Sequence, residues 1–388
     1  MTGSCPIICK NEKSERSGSK LLLFFMETVR ETKRKAEQVS RTKEELYPDY
    51  SDYIRKIDEE GLTVELLQNI IQKHAGNHAC NQALYERYMT LAGAVPVFHR
   101  EPRFAEAAPI NNKINNDFFS EIVDFKTGYF AGTPIGYSYG RGEEAEEATG
   151  GKAAVDKASK TLTDFTTRNN MYGVDMEITK FASIYGYAGR LFYIDPEGEA
   201  RVMAVPGYET IILSDTDIAE PNYAIRYFDL QTTAGDTIWQ VEFYDRENIH
   251  TYLGSTLSDL TEAGVRKHLF DGCPLQGIAN NKELLGDAEK VLALIDDYDK
   301  VLSDNSNEVE AFVHAYLVFD GLQASEEVIR QGQVSGAFAI PPMGTQQGRV
   351  YFLTKDINDA FTEHHLQRLE DNIYRFSRTP NLKDESFG

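Results

Sequence analysis

The chain is short of the groups from which most active sites are built. Its four cysteines, Cys5, Cys9, Cys80 and Cys273, form no CxxC pair and no disulfide-like spacing, so they are read as free thiols in a reducing compartment. Gly128, Gly132 and Gly136 are not followed by a GK[ST] step, which leaves no loop able to cradle a phosphate. A nucleophile elbow is missing, and so is a credible Ser/His/Asp set. The apolar run Leu21–Met26 is far shorter than the roughly 20 residues a membrane helix needs. No small-residue cleavage site follows its polar, mixed-charge leader. The protein is therefore expected to be soluble, made in the cytoplasm, free of cofactors and not an enzyme.

Positive charge is scarce too, with Lys+Arg 40 against Asp+Glu 61 and a net charge of -21. Affinity for nucleic acid comes from Lys and Arg on phosphates. The balance argues against a tight DNA binder but is compatible with a surface past which DNA slides. Length and aromatics, by contrast, are plentiful: 388 residues with Tyr 21 and Phe 21 exclude a largely disordered chain and suit two or three domains.

Residues 1–46 are polar and charge-mixed, a mobile arm or a lone helix. Leu62, Leu66, Leu67, Ile70 and Ile71 recur at helical spacing behind a Thr63 cap, and His74 is expected to end that helix before a second one carrying Tyr85 and Tyr88. A further helix is predicted from Asn116, as cap, to Gly132 and Pro134, with Phe118, Phe119, Ile122, Val123, Lys126 and Phe130 on one broad face. The acidic, glycine-rich stretch 141–152 reads as an exposed loop. Two helices follow, around 153–169 and through Val174–Tyr185. From Arg190 the period changes to two, predicting strands at 190–195, 200–205, 210–213, 223–228, 237–244 and 248–252 in an antiparallel sheet with one wet face; in the fifth of these Trp239, Val241 and Phe243 share one face while Gln240 and Glu242 take the other, wet one. Helices followed by strands give an α+β class. Beyond Pro274, Val291, Leu294, Tyr298 and Val301 form a narrow seam on a helix starting at Asp287, which the polar run Ser303–Asn307 interrupts or caps. A small module with strands near 338–340 and 349–353, joined through 341–344, precedes a helix from Asp356 carrying Leu366, Leu369, Ile373 and Phe376 and ended by Pro380.

Some clusters could carry chemistry. His74 and His78 stand four apart with Cys80 close by, yet Gly76 lies between them and no carboxylate partner is indicated, so they are read as ordinary surface histidines. His364 and His365 point to different helix faces. Asp296, Asp297, Asp299, Asp304, Glu308 and Glu310 could bind a divalent metal for phosphoryl chemistry. Such sites gather carboxylates from separate elements, whereas these line one helix and read as a solvated or subunit-facing charged face. Arg368 and Arg375, one heptad apart, with Arg378 and Lys383, are either solubilising charges or residues that meet phosphates in passing.

Two segments carry a resemblance. Asn111–Tyr137 has the form N…FF..IVD.KTGYF.G.PI.Y, and Cys273–Gly321 holds PL, an asparagine pair, a glycine-aspartate helix start and an aspartate-tyrosine pair before AYLV. Together they resemble the portal protein family of long-tailed phages of Gram-positive hosts. The resemblance implies a wing over 47–285, stem helices over 286–313 and 356–379 around a clip at 314–355, and the start of a tunnel loop at 380–388. Family members continue from there into a crown, which this chain is expected to lack, as a truncated gene, a prophage copy or a fragment. It further implies a ring, usually a dodecamer, at one capsid vertex of the virion. Double-stranded DNA would pass through the channel near Arg368, Arg375, Arg378 and Lys383. The implied partners are the terminase large subunit, a head–tail adaptor, and the major capsid and scaffolding proteins, with no membrane. The alternatives are another ring-forming virion or scaffold protein that conducts no DNA, and a metal-dependent nuclease or hydrolase.

Overall fold

A computed structural model of the chain describes residues 48–101, 110–139, 152–215, 217–233, 235–313, 316–320, 322, 325–335, 348–353 and 359–383. The expectations for the N-terminal arm, the 141–151 loop, the 341–344 turn and the strand near 338–340 lie outside the described residues. The rest is a mixture of helix and antiparallel sheet in two compact units. One takes in residues up to Val95, Asp117–Ala293 and those from Tyr374 onward; the other comprises Pro96–Asn116 and Leu294–Ile373.

In the first unit, α1 (Ser51–Glu60) leads to α2 (Val64–Tyr88), where the Thr63 hydroxyl accepts the Leu66 N–H at 3.1 Å as expected of a cap. Contrary to the sequence expectation, α2 does not stop at His74 but runs on through Gly76 for 25 residues. The reason is burial. His74 is 2% exposed and sits between the hydroxyls of Tyr227, at 2.9 Å from Nδ1, and Tyr187, at 3.4 Å from Nε2. Tyr187 donates to the carbonyls of Gly207 and Thr210, so Nε2 is the imidazole donor and Nδ1 accepts from Tyr227. His74 is thus a satisfied core residue and not a surface one.

Helices α3 (Phe118–Ala131), α4 (Lys152–Arg168) and α5 (Met171–Tyr185) follow. Gly186 ends α5 at φ 94 and turns the chain into β1; a Cβ there would also meet the Leu284 carbonyl oxygen at 1.9 Å. Strands β1 (Tyr187–Ile194) and β2 (Ala200–Val205) form the predicted hairpin. Strands β3 (Thr210–Leu213), β4 (Tyr223–Gln231), β5 (Thr237–Tyr244), β6 (Asn248–Gly254) and β7 (Thr261–Lys267) make a five-stranded antiparallel sheet in sequence order. β8 (Leu275–Ala279) returns to pair with β1, giving a second sheet of order β2-β1-β8. The sequence did not mark β7 or β8. β7 is exposed along its whole length and has no buried alternation to read, while β8 is short and half apolar.

The wet face expected for the large sheet is largely absent at its inner end. One face packs Ile211, Ile225, Tyr227, Val241 and Phe243 against Leu67, Ile70 and Ile71 of α2. The opposite face places Ile212, Ala224, Tyr244 and Ile249 against Tyr187, Leu191 and Leu275. Glu242, predicted to be solvated, is 8% exposed and accepts the Tyr244 hydroxyl at 2.6 Å.

In the second unit, β9 (Tyr316–Asp320) pairs antiparallel with β10 (Arg349–Leu353), so the partner of β10 comes from before α7 (Glu326–Ser335). Two long helices, α6 (Leu292–Val313) and α8 (Asp359–Ser377), contribute to both units. α6 follows a 3-10 turn at Glu289–Val291 and passes through Ser303–Asn307 without a break. Its buried stripe is Leu292, Ile295, Asp299 and Ser303, while Leu294, Tyr298 and Val301 of the expected seam are half-buried. On α8, Leu366, Leu369 and Ile373 are buried as expected but Phe376 is 54% exposed.

Burial pushes the His74 imidazole from its ordinary 6.5 down to about 3, with charged-form repulsion from His78 adding to it. The unfolded chain binds a proton at this position below about 6.5, whereas the folded chain does not until about 3. Stability from neutral His74 is therefore complete above that window and falls as pH falls through it. Denaturant unfolding should lose up to about 1.4 kcal/mol per pH unit from this group between pH 6 and 4. His74→Gln should flatten that slope whatever it does to baseline stability, and an unchanged slope would refute the assignment.

Candidate functional site

The first signature segment is best understood from its hydrogen bonds. Asp117, not Asn116, stands at the start of α3, in the left-handed region at φ 51, and accepts from the hydroxyls of Ser120 at 2.7 Å and Thr90 at 3.1 Å. Phe118, Phe119, Ile122 and Val123 are buried. Between them, polar residues reach the end of α8. The Tyr374 hydroxyl lies 3.0 Å from both Glu121 carboxylate oxygens, and its ring meets Phe118 edge-on at 5.9 Å. Lys126 donates through Nζ to the Arg378 carbonyl at 3.1 Å. That carbonyl lies just past the last turn of α8, where backbone acceptors lose their helical partners and the helix dipole favours a cation.

The segment after α3 is tied down in the same way. The Tyr137 hydroxyl lies 2.9 and 2.8 Å from the two oxygens of Asp175, a buried carboxylate that also accepts from Arg190 Nη2 at 2.8 Å. Burial, followed by the Asp175 hydrogen bond, raises the Tyr137 pKa. Tyr172 donates to the Gly132 carbonyl at 3.3 Å. The second signature segment closes on the α5–β1 junction. Asn280 N–H donates to Gly186 O at 2.9 Å, Asn281 brackets Leu285 through N–H and C=O, and Asp287 exchanges two hydrogen bonds with Ser183. A Cβ on Gly286 would come within 2.3 Å of the Ile184 carbonyl oxygen. Both signatures are therefore architectural: their polar residues satisfy backbone and carboxylate groups at crowded junctions.

The four basic candidates are all exposed, but they do not form one cluster in a single unit. Arg368 belongs to the second unit, and Arg375, Arg378 and Lys383 to the first. The Arg375 guanidinium lies 5.9 Å from the Phe376 ring centroid. Arg378 shapes the helix end, which the sequence did not reveal. It adopts φ 56 immediately after α8, and Thr379 N–H reaches back to Tyr374 O at 3.0 Å, the closure in which glycine is favoured. The helix is thus ended by a left-handed residue, two positions before Pro380.

The acidic row on α6 is not simply a solvated face. Asp299 is 1% exposed and accepts Asn116 N–H and Nδ2 at 3.0 and 2.8 Å; Asp304 pairs with Arg100; Glu310 accepts Asn112 Nδ2 at 2.7 Å. Asp297 lies 3.5 Å from His365. His78 donates to the Tyr208 carbonyl at 2.6 Å and stacks on Tyr227, while Cys80 is buried. Burial raises the Cys273 thiol to about 12, well outside the range of a reactive thiolate.

Arg378→Gly should stabilise the fold by about 1 kcal/mol, because a left-handed conformation costs a side-chain-bearing residue roughly that much. Lys126→Met should destabilise it by about 1 kcal/mol, through the carbonyl left without its cationic donor. Chemical denaturation of the two variants checks both signs.

A family model described as "Phage portal protein, SPP1 Gp6-like" matches residues 67–388. The chain is also similar to the portal protein of Bacillus phage SPP1, at 22% identity over 298 residues. That alignment takes in 72% of this chain and 55% of the relative, so the chain spans about half the length of the relative it matches. The match across both signature segments and both long helices places the chain in the phage portal protein family.

Proposed function

We propose that the chain is a subunit of a phage portal, a ring at one vertex of the capsid through which the genome enters and leaves. The observation that carries this reading is the family match from residue 67 to residue 388. The fold supports it in two ways. The polar residues of the signatures are engaged in holding helix ends and loops, as befits a structural protein. Large aromatics are also left open: Tyr129 is 85% exposed and Phe130 68%, in the last turn of α3, on the face whose first two turns fill the core. Patches of that kind mark interaction surfaces, and a closed ring needs two unlike faces on each subunit.

Within this reading, residues 47–285 form the wing, α6 and α8 the stem, and 314–355 the clip. A two-stranded sheet such as β9 with β10 is marginal on its own, so neighbouring subunits complete it. The clip then offers a docking face to the terminase large subunit and the head–tail adaptor, and the ring meets the major capsid and scaffolding proteins. Arg368, Arg375, Arg378 and Lys383 face the passing duplex. With a chain charge of -21, such contacts are few and weak, and they touch phosphate without reading sequence. DNA is centred, not held.

Two measurements test the proposal. Native mass determination with electron microscopy of the purified chain should find closed rings, and a strictly monomeric species at high micromolar concentration would overturn the reading. DNA affinity should be weak, indifferent to sequence and lost at moderate salt. Arg375→Glu with Lys383→Glu should impair DNA passage in a packaging assay and leave assembly intact. Tight, sequence-selective, salt-resistant binding by the native chain would contradict the conduit role.

A further inference from the structure

Residues 110–116 belong to neither a helix nor a sheet, yet their backbone is held by a regular ladder. Asn112 N–H donates to Asn307 Oδ1 at 2.6 Å, Ile114 N–H to Ser303 Oγ at 3.0 Å, and Asn116 N–H to Asp299 Oδ1 at 3.0 Å. Every second residue of the segment meets every fourth residue of α6, and the two run antiparallel. Four helical residues rise about 6 Å, while two residues of extended chain span about 6.6 Å. The repeats nearly coincide, so one face of a helix can stand in for the edge of a strand. We propose that Asp299, Ser303 and Asn307 form a backbone-reading track on α6, with residues 110–116 of the same chain as its occupant, which locks that segment in a single register.

The ends of the ladder explain the lock. Asn112 Nδ2 donates to Glu310 and Asn116 Nδ2 to Asp299, so the two outer rungs each carry an additional side-chain clamp. Further along the same helical row stands Ile295, which offers no acceptor. Sliding the segment by one helical turn toward Ile295 would leave a donor facing an apolar side chain, and an unmet donor is costly. The mismatch of roughly 0.6 Å per rung also accumulates, which limits such a ladder to a few rungs. A second pass of chain braces the first: Arg100 Nη1 donates to Lys300 O at 3.2 Å, Asn111 Nδ2 to Arg100 O at 2.9 Å, and Lys113 Nζ to Phe98 O at 2.6 Å. This track accounts for the burial of Asp299 and Ser303 on a helix whose sequence there looks solvated. It is independent of ring formation.

An extended backbone turns successive N–H groups to opposite sides, so proline should act with a period of two. Proline removes the donor but accommodates an extended chain. Hydrogen–deuterium exchange of the full-length chain, followed on peptides covering 110–117, provides the readout. Ile114→Pro and Ser303→Ala should each speed exchange there by on the order of tenfold. Ile114→Ala, Ser303→Thr, and Lys113→Pro measured against Lys113→Ala, should stay within about twofold, given that each keeps the rungs. Peptides from α2 and β5 should not change in any variant, which separates loss of the ladder from loss of the fold. Equal effects of proline at 113 and 114, or no effect of Ser303→Ala, would overturn the proposal. Electron microscopy of the same variants reads ring formation separately.

Discussion

Every helix that ends inside a protein leaves carbonyls or N–H groups that must find partners, and this chain meets part of that demand with side chains from distant segments. α3 supplies a lysine for the carbonyl beyond α8 and a glutamate for the hydroxyl of its last turn. Asp287 and Ser183 join the end of α5 to the approach to α6. The extended stretch before α3 takes its acceptors from α6 itself. Each device replaces a backbone ladder with a side chain that fits only one place. Residue identity at these junctions is therefore restricted without any chemistry being performed there.

That principle also explains how an acidic chain uses its carboxylates. A net charge of -21 invites the picture of a repelling outer shell. Yet Asp175 sits buried under Tyr137 and Arg190, Asp299 under Asn116, and Glu242 against Tyr244. Burying a carboxylate is costly unless donors surround it. For these three the donors are mainly neutral groups, hydroxyls and amides, with Arg190 the one cation among them.

Much of the fold was legible in the sequence where a periodic pattern coincided with a burial surface. α2 at its start, the first half of α3, α5 and strands β1 to β6 are apolar on a face that is in fact covered, and Thr63 announced its cap; Phe130, expected on the same face of α3, is instead 68% exposed. The failures share a cause. The path of α2 beyond His74 depends on two tyrosine hydroxyls, one more than a hundred residues away and the other more than one hundred and fifty, and no local window contains them. The uninterrupted course of α6 depends on Asn112, Ile114 and Asn116, which turn a polar stripe into a buried one. Glu242 looked solvated because its partner face, β1 with β8, is assembled from strands on either side of the large sheet in sequence. Polar residues inside a periodic pattern are read as exposed by default, and here several were satisfied instead.

The basic candidates show the limit of spacing arguments at the site itself. One heptad separates Arg368 from Arg375, and both are indeed exposed on one helix. Arg378 looked like a third member of the series, but its φ of 56 takes it off the helical repeat. Its side chain is therefore carried by the turn that ends α8 and not by the helix face. The backbone of this residue is engaged by Lys126, a residue of the first signature. A charge change at Arg378 consequently also disturbs a helix end, whereas one at Arg375, within the helix, leaves that end alone. Spacing identified the exposed cations; assigning their roles required knowing which of them also hold the backbone.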